Sequence, residues 1–173
     1  MREANAEVPG IRAHDDRDRN AAGRPKNTRP RDALGRPLPR DAEGEPPVPD
    51  QALPPAQALA EAQRLLDAGR PFHAHEVLEA AWKAAPDTDR DLWQGLAQIA
   101  VGVTHARRGN AHGAAALLRR AVRRLGGYPD QGPHDIDVAG LRTQCTELAR
   151  LIESAGLASL DPDALDMRLR RDS

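Results

Sequence analysis

The stretch FHAHEVLEAAW, Phe72 to Trp82, sets His75, Glu76, Glu79 and Trp82 among small apolar residues in a chain with only four aromatic residues. At about 100° per residue, His75 and Glu79 stand one helical turn apart and Trp82 falls almost in line with them. They form a polar edge beside the apolar face of Ala74, Val77, Leu78 and Ala81. Further on, LWQGLAQIAVGVTHA repeats the arrangement, with Gln94, Gln98 and His105 as one stripe on an otherwise apolar cylinder. A buried amide or imidazole without a partner costs about 1 to 3 kcal/mol, so two such stripes in one small domain are expected to face each other. The expectation is an interhelical cluster of His75, Glu79, Gln94, Gln98 and His105, with Trp82 and Trp93 as walls that keep water out.

Three chemistries fit such a cluster. A closed hydrogen-bond network would fix the register of the helices. A pocket with a few converging polar groups would take a small molecule. His75, Glu79 and His105 together would suit a divalent metal, although glutamine is a poor ligand beside them. The metal reading extends to a metal-dependent hydrolase with Glu76 or a water-bridged glutamine as helper, but HEVLE departs from HExxH because Glu79 stands where a second histidine would.

The surroundings of this motif read as helical throughout. From Pro54 onward apolar residues recur at helical spacing with helix punctuation between them, and no strand-like alternation interrupts them. Five helices are predicted. They run from about Ala56 to Ala68, from the FHAHE motif to about Ala85, from the cap candidates Asp87 and Thr88 to about Arg108, from the cap Asn110 to before Gly126, and from Ile136 to Ala155. Short links favour antiparallel neighbours, so the fold class is all-α, an up-and-down helical bundle over residues 54–157. Gly95 and Gly102 on the third helix would let another backbone approach closely. Cys145 falls on the apolar face of the fifth helix and reads as core rather than nucleophile.

Outside the bundle, residues 1–53 are crowded with Arg, Asp, Pro and Gly, with few large apolar residues to offset the entropy of ordering. They are expected to form a disordered extension, although RPRDALGRPLPR carries Leu34 and Leu38 and could dock locally. Residues 158–173 read as a tail holding at most a short helix.

The net charge of -1 excludes general attraction to nucleic acid or membranes, so a charged partner must meet a local patch. One such patch is Arg107, Arg108, Arg119, Arg120, Arg123 and Arg124, in a stretch without acids between Asp91 and Asp130. It would suit an anionic partner such as RNA or DNA, but it lacks interleaved aromatics, and a solvated face paired with acids is the favoured reading. A single cysteine allows no internal disulfide, no apolar run reaches membrane-spanning length, and the amino terminus lacks the apolar core of a signal peptide. A cytoplasmic protein without a membrane partner is expected, and self-association stays open.

Three ordered motifs carry a family resemblance: HE-x-x-E-x-x-W, QGL-x-Q-x-A and H-x-x-x-GN. Over roughly Leu59 to Leu151 the chain resembles the bacterial family called domain of unknown function 309. The resemblance implies a compact helical bundle and a shared polar motif, carried here by His75, Glu76, Glu79, Trp82, Gln94, Gly95, Gln98, His105, Gly109 and Asn110. It implies no activity.

Overall fold

The structure, a computed structural model, describes residues 29–49 and 51–171. Five helices follow in order: α1 (Pro55–Asp67), α2 (Pro71–Ala84), α3 (Asp87–Arg107), α4 (Ala111–Leu125) and α5 (Val138–Ala155). Three 3-10 turns, Pro133–Asp135, Leu157–Ser159 and Pro162–Leu165, complete the regular structure. Among the described residues there are no strands, only isolated bridges. Each helix packs chiefly on its neighbour in sequence, as expected for the up-and-down bundle. No helix among the described residues is long and apolar enough to cross a membrane.

The helices begin and end for local reasons. Prolines open α1 and α2, where a missing N–H costs nothing and φ is already helical. Gly69 and Gly109 reverse the chain after α1 and α3 with φ of 70° and 81°. Asn110 and Asp137 cap α4 and α5 by accepting from Gly113 N and Gly140 N. The first turn of α3 departs from expectation. Asp87 and Thr88 lie inside the helix and no side chain caps it. One turn further on, the Tyr128 hydroxyl, from beyond α4, accepts from Leu92 N at 3.0 Å and donates to Thr88 O at 2.8 Å, bridging groups one helical turn apart.

The apolar faces meet as their spacing requires. Leu59, Leu65, Leu78, Leu92, Leu96, Ile99, Leu118, Leu125 and Leu141 are buried in one continuous core that includes Cys145. Burial pushes the Cys145 thiol up to about 12, which keeps it protonated and unreactive. Gly95 and Gly102 face α4, and a Cβ there would lie 3.2 Å from Leu125 and Leu118 respectively. The two helices therefore approach closely enough that even a methyl group at either glycine would be a tight fit.

Residues 30–46 and the segment around Met167 and Leu169 depart from the tails expected there. Residues 1–28 lie outside the described residues, but 30–46 lie against the start of α2. At the other end, Met167 and Leu169 are core residues, about 1% exposed. Gln63 of α1 grips that segment, donating to Met167 O at 3.0 Å and accepting from Leu169 N at 2.9 Å. Both segments find backbone partners on the bundle, which composition does not reveal.

Candidate functional site

The α2–α3 hairpin carries most of the residues singled out by spacing, but the structure divides them. On α2, His75 Nε2 stands 3.6 Å from Glu79 Oε2, and the other Glu79 oxygen pairs with Lys83 Nζ at 2.7 Å. Glu79 thus finds its cation on its own helix, one turn on, and lines a shallow surface cleft with Glu76, Ala80, Lys83, Val48 and Pro49. His75 is three-quarters buried, and its Nδ1 is enclosed without a partner. Burial lowers its pKa, a shift that Glu79 opposes and Lys83 reinforces.

On α3, Gln98 is partly buried with its side-chain oxygen enclosed and unpartnered, while Gln94 is half-buried. His105 turns away from α2 to the next corner. Its Nδ1 accepts from Asn110 Nδ2 at 2.7 Å, while Asn110 Oδ1 accepts from Gly113 N at 2.9 Å. The backbone closes the same corner, with Asn110 N donating to His105 O at 2.9 Å. Gly113 completes it, because a Cβ would lie 2.6 Å from both His105 Nδ1 and Asn110 Nδ2.

The expected five-residue cluster is therefore not assembled. No hydrogen bond or ion pair among the described residues joins His75 or Glu79 to Gln94, Gln98 or His105. Nor do three His, Cys, Asp or Glu side chains among those residues gather at metal-binding geometry, so the His75, Glu79 and His105 triad does not form. The tryptophans wall other places. Trp82 is partly buried against the core, and Trp93 packs its ring 5.9 Å from that of His134.

The arginine patch is divided too. Arg119 reaches Glu153 at 2.5 Å, Arg124 pairs with Asp91, Arg107 lies 3.7 Å from Asp166, and Arg108 donates to the Leu34 carbonyl. Arg120 and Arg123 are exposed, with no ion pair among the described residues. Acids distant in sequence thus answer three of the six arginines, in line with the solvated-face reading.

A second constellation lies where spacing gave no sign of one, at the start of α2. Gly35, with φ of 75°, lies flat on the Phe72 ring, where a Cβ would fall 2.2 Å from Phe72 Cγ. The guanidinium carbons of Arg31 and Arg108 stand 5.3 and 5.9 Å from the ring centroid. Arg70 donates to Pro46 O at 2.9 Å and pairs with Glu45 at 3.0 Å. Beneath them His73 is 2% exposed, edge-on to Phe72 at 5.6 Å. Burial lowers its pKa, Arg70 and Arg31 add to that, and Glu45 and the Ala33 backbone oppose it. The legible signal was D-x-x-G in RDALGR, a turn signature, rather than Leu34 and Leu38.

Comparison with known proteins bears on the first constellation. Residues 59–117 match the family model described as Domain of unknown function (DUF309). The match ends well short of Leu151, so it leaves out α5, the C-terminal clasp and the 30–46 segment. A curated relative, "Uncharacterized protein YpuF" of Bacillus subtilis (strain 168), is 42% identical over 55 residues, 31% of this chain and 32% of that protein. The chain thus spans about a third of that relative's length. No solved structure matches. Residues 59–117, which include every residue of the three polar motifs, are thus the part of the chain that is similar to the DUF309 family.

Proposed function

We propose that the bundle is a binding scaffold, in which the polar residues of the three motifs hold the helices in register and leave recognition to the surface. The observation that carries this is the His105–Asn110–Gly113 corner. There an imidazole, an amide cap and a glycine interlock within 2.7 to 2.9 Å and account for H-x-x-x-GN without any ligand. Gly95 has a packing role against Leu125, and Glu79 is answered by Lys83. A chemical site needs groups that converge on one reacting atom. A scaffold needs each group satisfied where it stands, which is the pattern of this corner and of the Glu79–Lys83 pair.

A small-ligand reading has one observation in its favour: His75 Nδ1 and Gln98 Oε1 are both enclosed without partners on facing helices.

A double-mutant cycle on His105→Ala and Asn110→Ala tests the scaffold reading through the free energy of unfolding. Each change is expected to cost about 1 kcal/mol, and the pair less than their sum because they share one bond. Unchanged stability in both single variants would refute it.

A further inference from the structure

The C-terminal segment does more than close the core. Burial alternates along it, with Met167 and Leu169 turned into the bundle and Arg168 and Arg170 exposed, as an extended stretch on an apolar surface requires. Arg171 follows. All three arginines line one cleft of about 630 Å³, between this segment, α1 and the loop that leads into α5. Ile136, fully buried, lines it too, as does Gln63, whose side chain is taken up by Met167 O, Leu169 N and Asp67.

The charges in this cleft are only partly answered. Arg170 forms no ion pair or side-chain hydrogen bond among the described residues. Arg168 is held loosely, its Nη1 3.5 Å from each Asp67 oxygen with both side chains about half exposed. Arg171 pairs through Nε with Asp137 Oδ1 at 3.1 Å, an oxygen that also accepts from Gly140 N as the cap of α5. Asp135 and Gln131 line the same cleft, exposed and without side-chain partners among the described residues. Asp135 is placed there by a left-handed turn. Its φ and that of His134 are both 61°, a conformation that residues other than glycine adopt only at a cost. None of the described residues lining the cleft is aromatic.

From this we infer that the cleft binds a small phosphorylated polyol, of which a sugar phosphate is the simplest kind. The phosphate falls to Arg168 and Arg170, because planar guanidinium forks fit its oxygens and neither is firmly held by a carboxylate. The hydroxyls fall to Asp135 and Gln131, whose side-chain oxygens accept from them. A simple polyanion fits worse, since Asp135 and Asp137 repel it, and a nucleobase finds no ring to stack on. The size agrees, because clefts of about 300 to 1,000 Å³ hold small molecules. The site lies outside the three polar motifs, so it goes beyond the scaffold reading and does not depend on it.

The test titrates the full chain at fixed ionic strength, followed by amide NMR, with inorganic phosphate, ribose 5-phosphate and ribose as probes. Ribose 5-phosphate should shift the amides of residues 131–137 and 168–171 saturably. It should bind about tenfold more tightly than inorganic phosphate, the worth of one or two added hydrogen bonds, with ribose weaker than either. Arg170→Gln should weaken it at least fivefold without moving the thermal melt, because that side chain is exposed and unpaired. Arg120→Gln, which removes an exposed arginine of α4, should leave binding unchanged. Absence of a saturable shift would overturn the inference, as would equal weakening by both variants, the mark of charge screening rather than a site. Inorganic phosphate binding as tightly as ribose 5-phosphate would refute the polyol. A single-stranded oligonucleotide that binds the cleft more tightly than ribose 5-phosphate would sink the small-molecule claim. The scaffold reading is judged separately by the unfolding energies of the His105 and Asn110 variants, so either can fail alone.

Discussion

The His105 imidazole accepts a hydrogen bond from the Asn110 amide at 2.7 Å, and Gly113 leaves the space in which the two meet. Because the amide nitrogen only donates, the ring nitrogen facing it must be unprotonated, which puts the neutral ring's proton on Nε2. Gly113→Ala would push a methyl group within 2.6 Å of both atoms. The cap and the His–Asn bond are then lost at about 1 kcal/mol each, against a gain of about 1 kcal/mol in helix propensity. A net loss of about 1 kcal/mol in urea unfolding is expected, where an open helical position would show a gain. Stabilisation by Gly113→Ala would show that the corner is not held this way.

Of this corner only the cap and the turn were legible in the sequence, because Asn110 and Gly109 are local features, whereas His105 was expected to meet His75 and Glu79 and instead meets Asn110. The helix ends were legible for the same reason, through Pro86 and the glycines at Gly69 and Gly109. The pairing of the two polar stripes was not. Spacing places Glu79 on an edge of α2, but it cannot say whether Lys83 or a residue of α3 reaches it first. The partner one turn away needs no desolvation and prevails. That RPRDALGRPLPR could dock was legible, but its anchor was not: the contact is made by the absence of a side chain at Gly35 rather than by Leu34 and Leu38. Met167 and Leu169 were hidden differently: two apolar residues separated by Arg168 make too short a pattern to distinguish a buried extended segment from a tail.

The approach of α3 to α4 at Gly95 predicts an effect graded by side-chain size. A methyl group would lie 3.2 Å from Leu125, close enough to force a small shift in a flexible side chain. The propensity gain of about 1 kcal/mol offsets that, so Gly95→Ala should be within about 1 kcal/mol of wild type. Gly95→Val should cost about 2 kcal/mol or more, because its branched methyls cannot avoid Leu125 and the Arg124 stem. Chemical denaturation of the two variants measures the difference. Equal stability would mean that the helices can separate without cost.

The C-terminal clasp should matter as much as any helix contact. Met167→Ala removes a fully buried side chain and is expected to cost 2 to 5 kcal/mol. Gln63→Leu strips both hydrogen bonds from the backbone at Met167 and Leu169 and should cost about 1 to 3 kcal/mol. Hydrogen exchange of the Leu169 amide gives an independent reading, fast in the Gln63 variant and slow in wild type. A Met167→Ala chain that melts with wild type would show that residues 166–171 add nothing to the core.

His73 and His75 give the protein a predictable dependence on mild acid. Both have pKa values below the ordinary 6.5, chiefly through burial. Arg70 and Arg31 act further on His73 against Glu45, and Lys83 on His75 against Glu79. The unfolded chain therefore binds protons near pH 6.5 that the folded chain refuses. Their full contribution to stability is present above 6.5 and is lost as the pH falls toward the depressed values, below which both states are protonated and the loss levels off. Each ring adds at most about 1.4 kcal/mol per pH unit within that window. Glu61, Glu147 and Glu153, lowered by their arginine partners, lose their contributions only further into acid, below 4.5. Denaturation measured from pH 7.5 to 5 should show this slope in wild type, and a smaller one in His73→Gln and His75→Gln whatever their absolute stability. Because His73 lies under segment 30–46, its protonation should also speed hydrogen exchange at Leu34 to Leu38 before the bundle unfolds. A slope unchanged in both variants would mean that neither ring is held neutral by the fold.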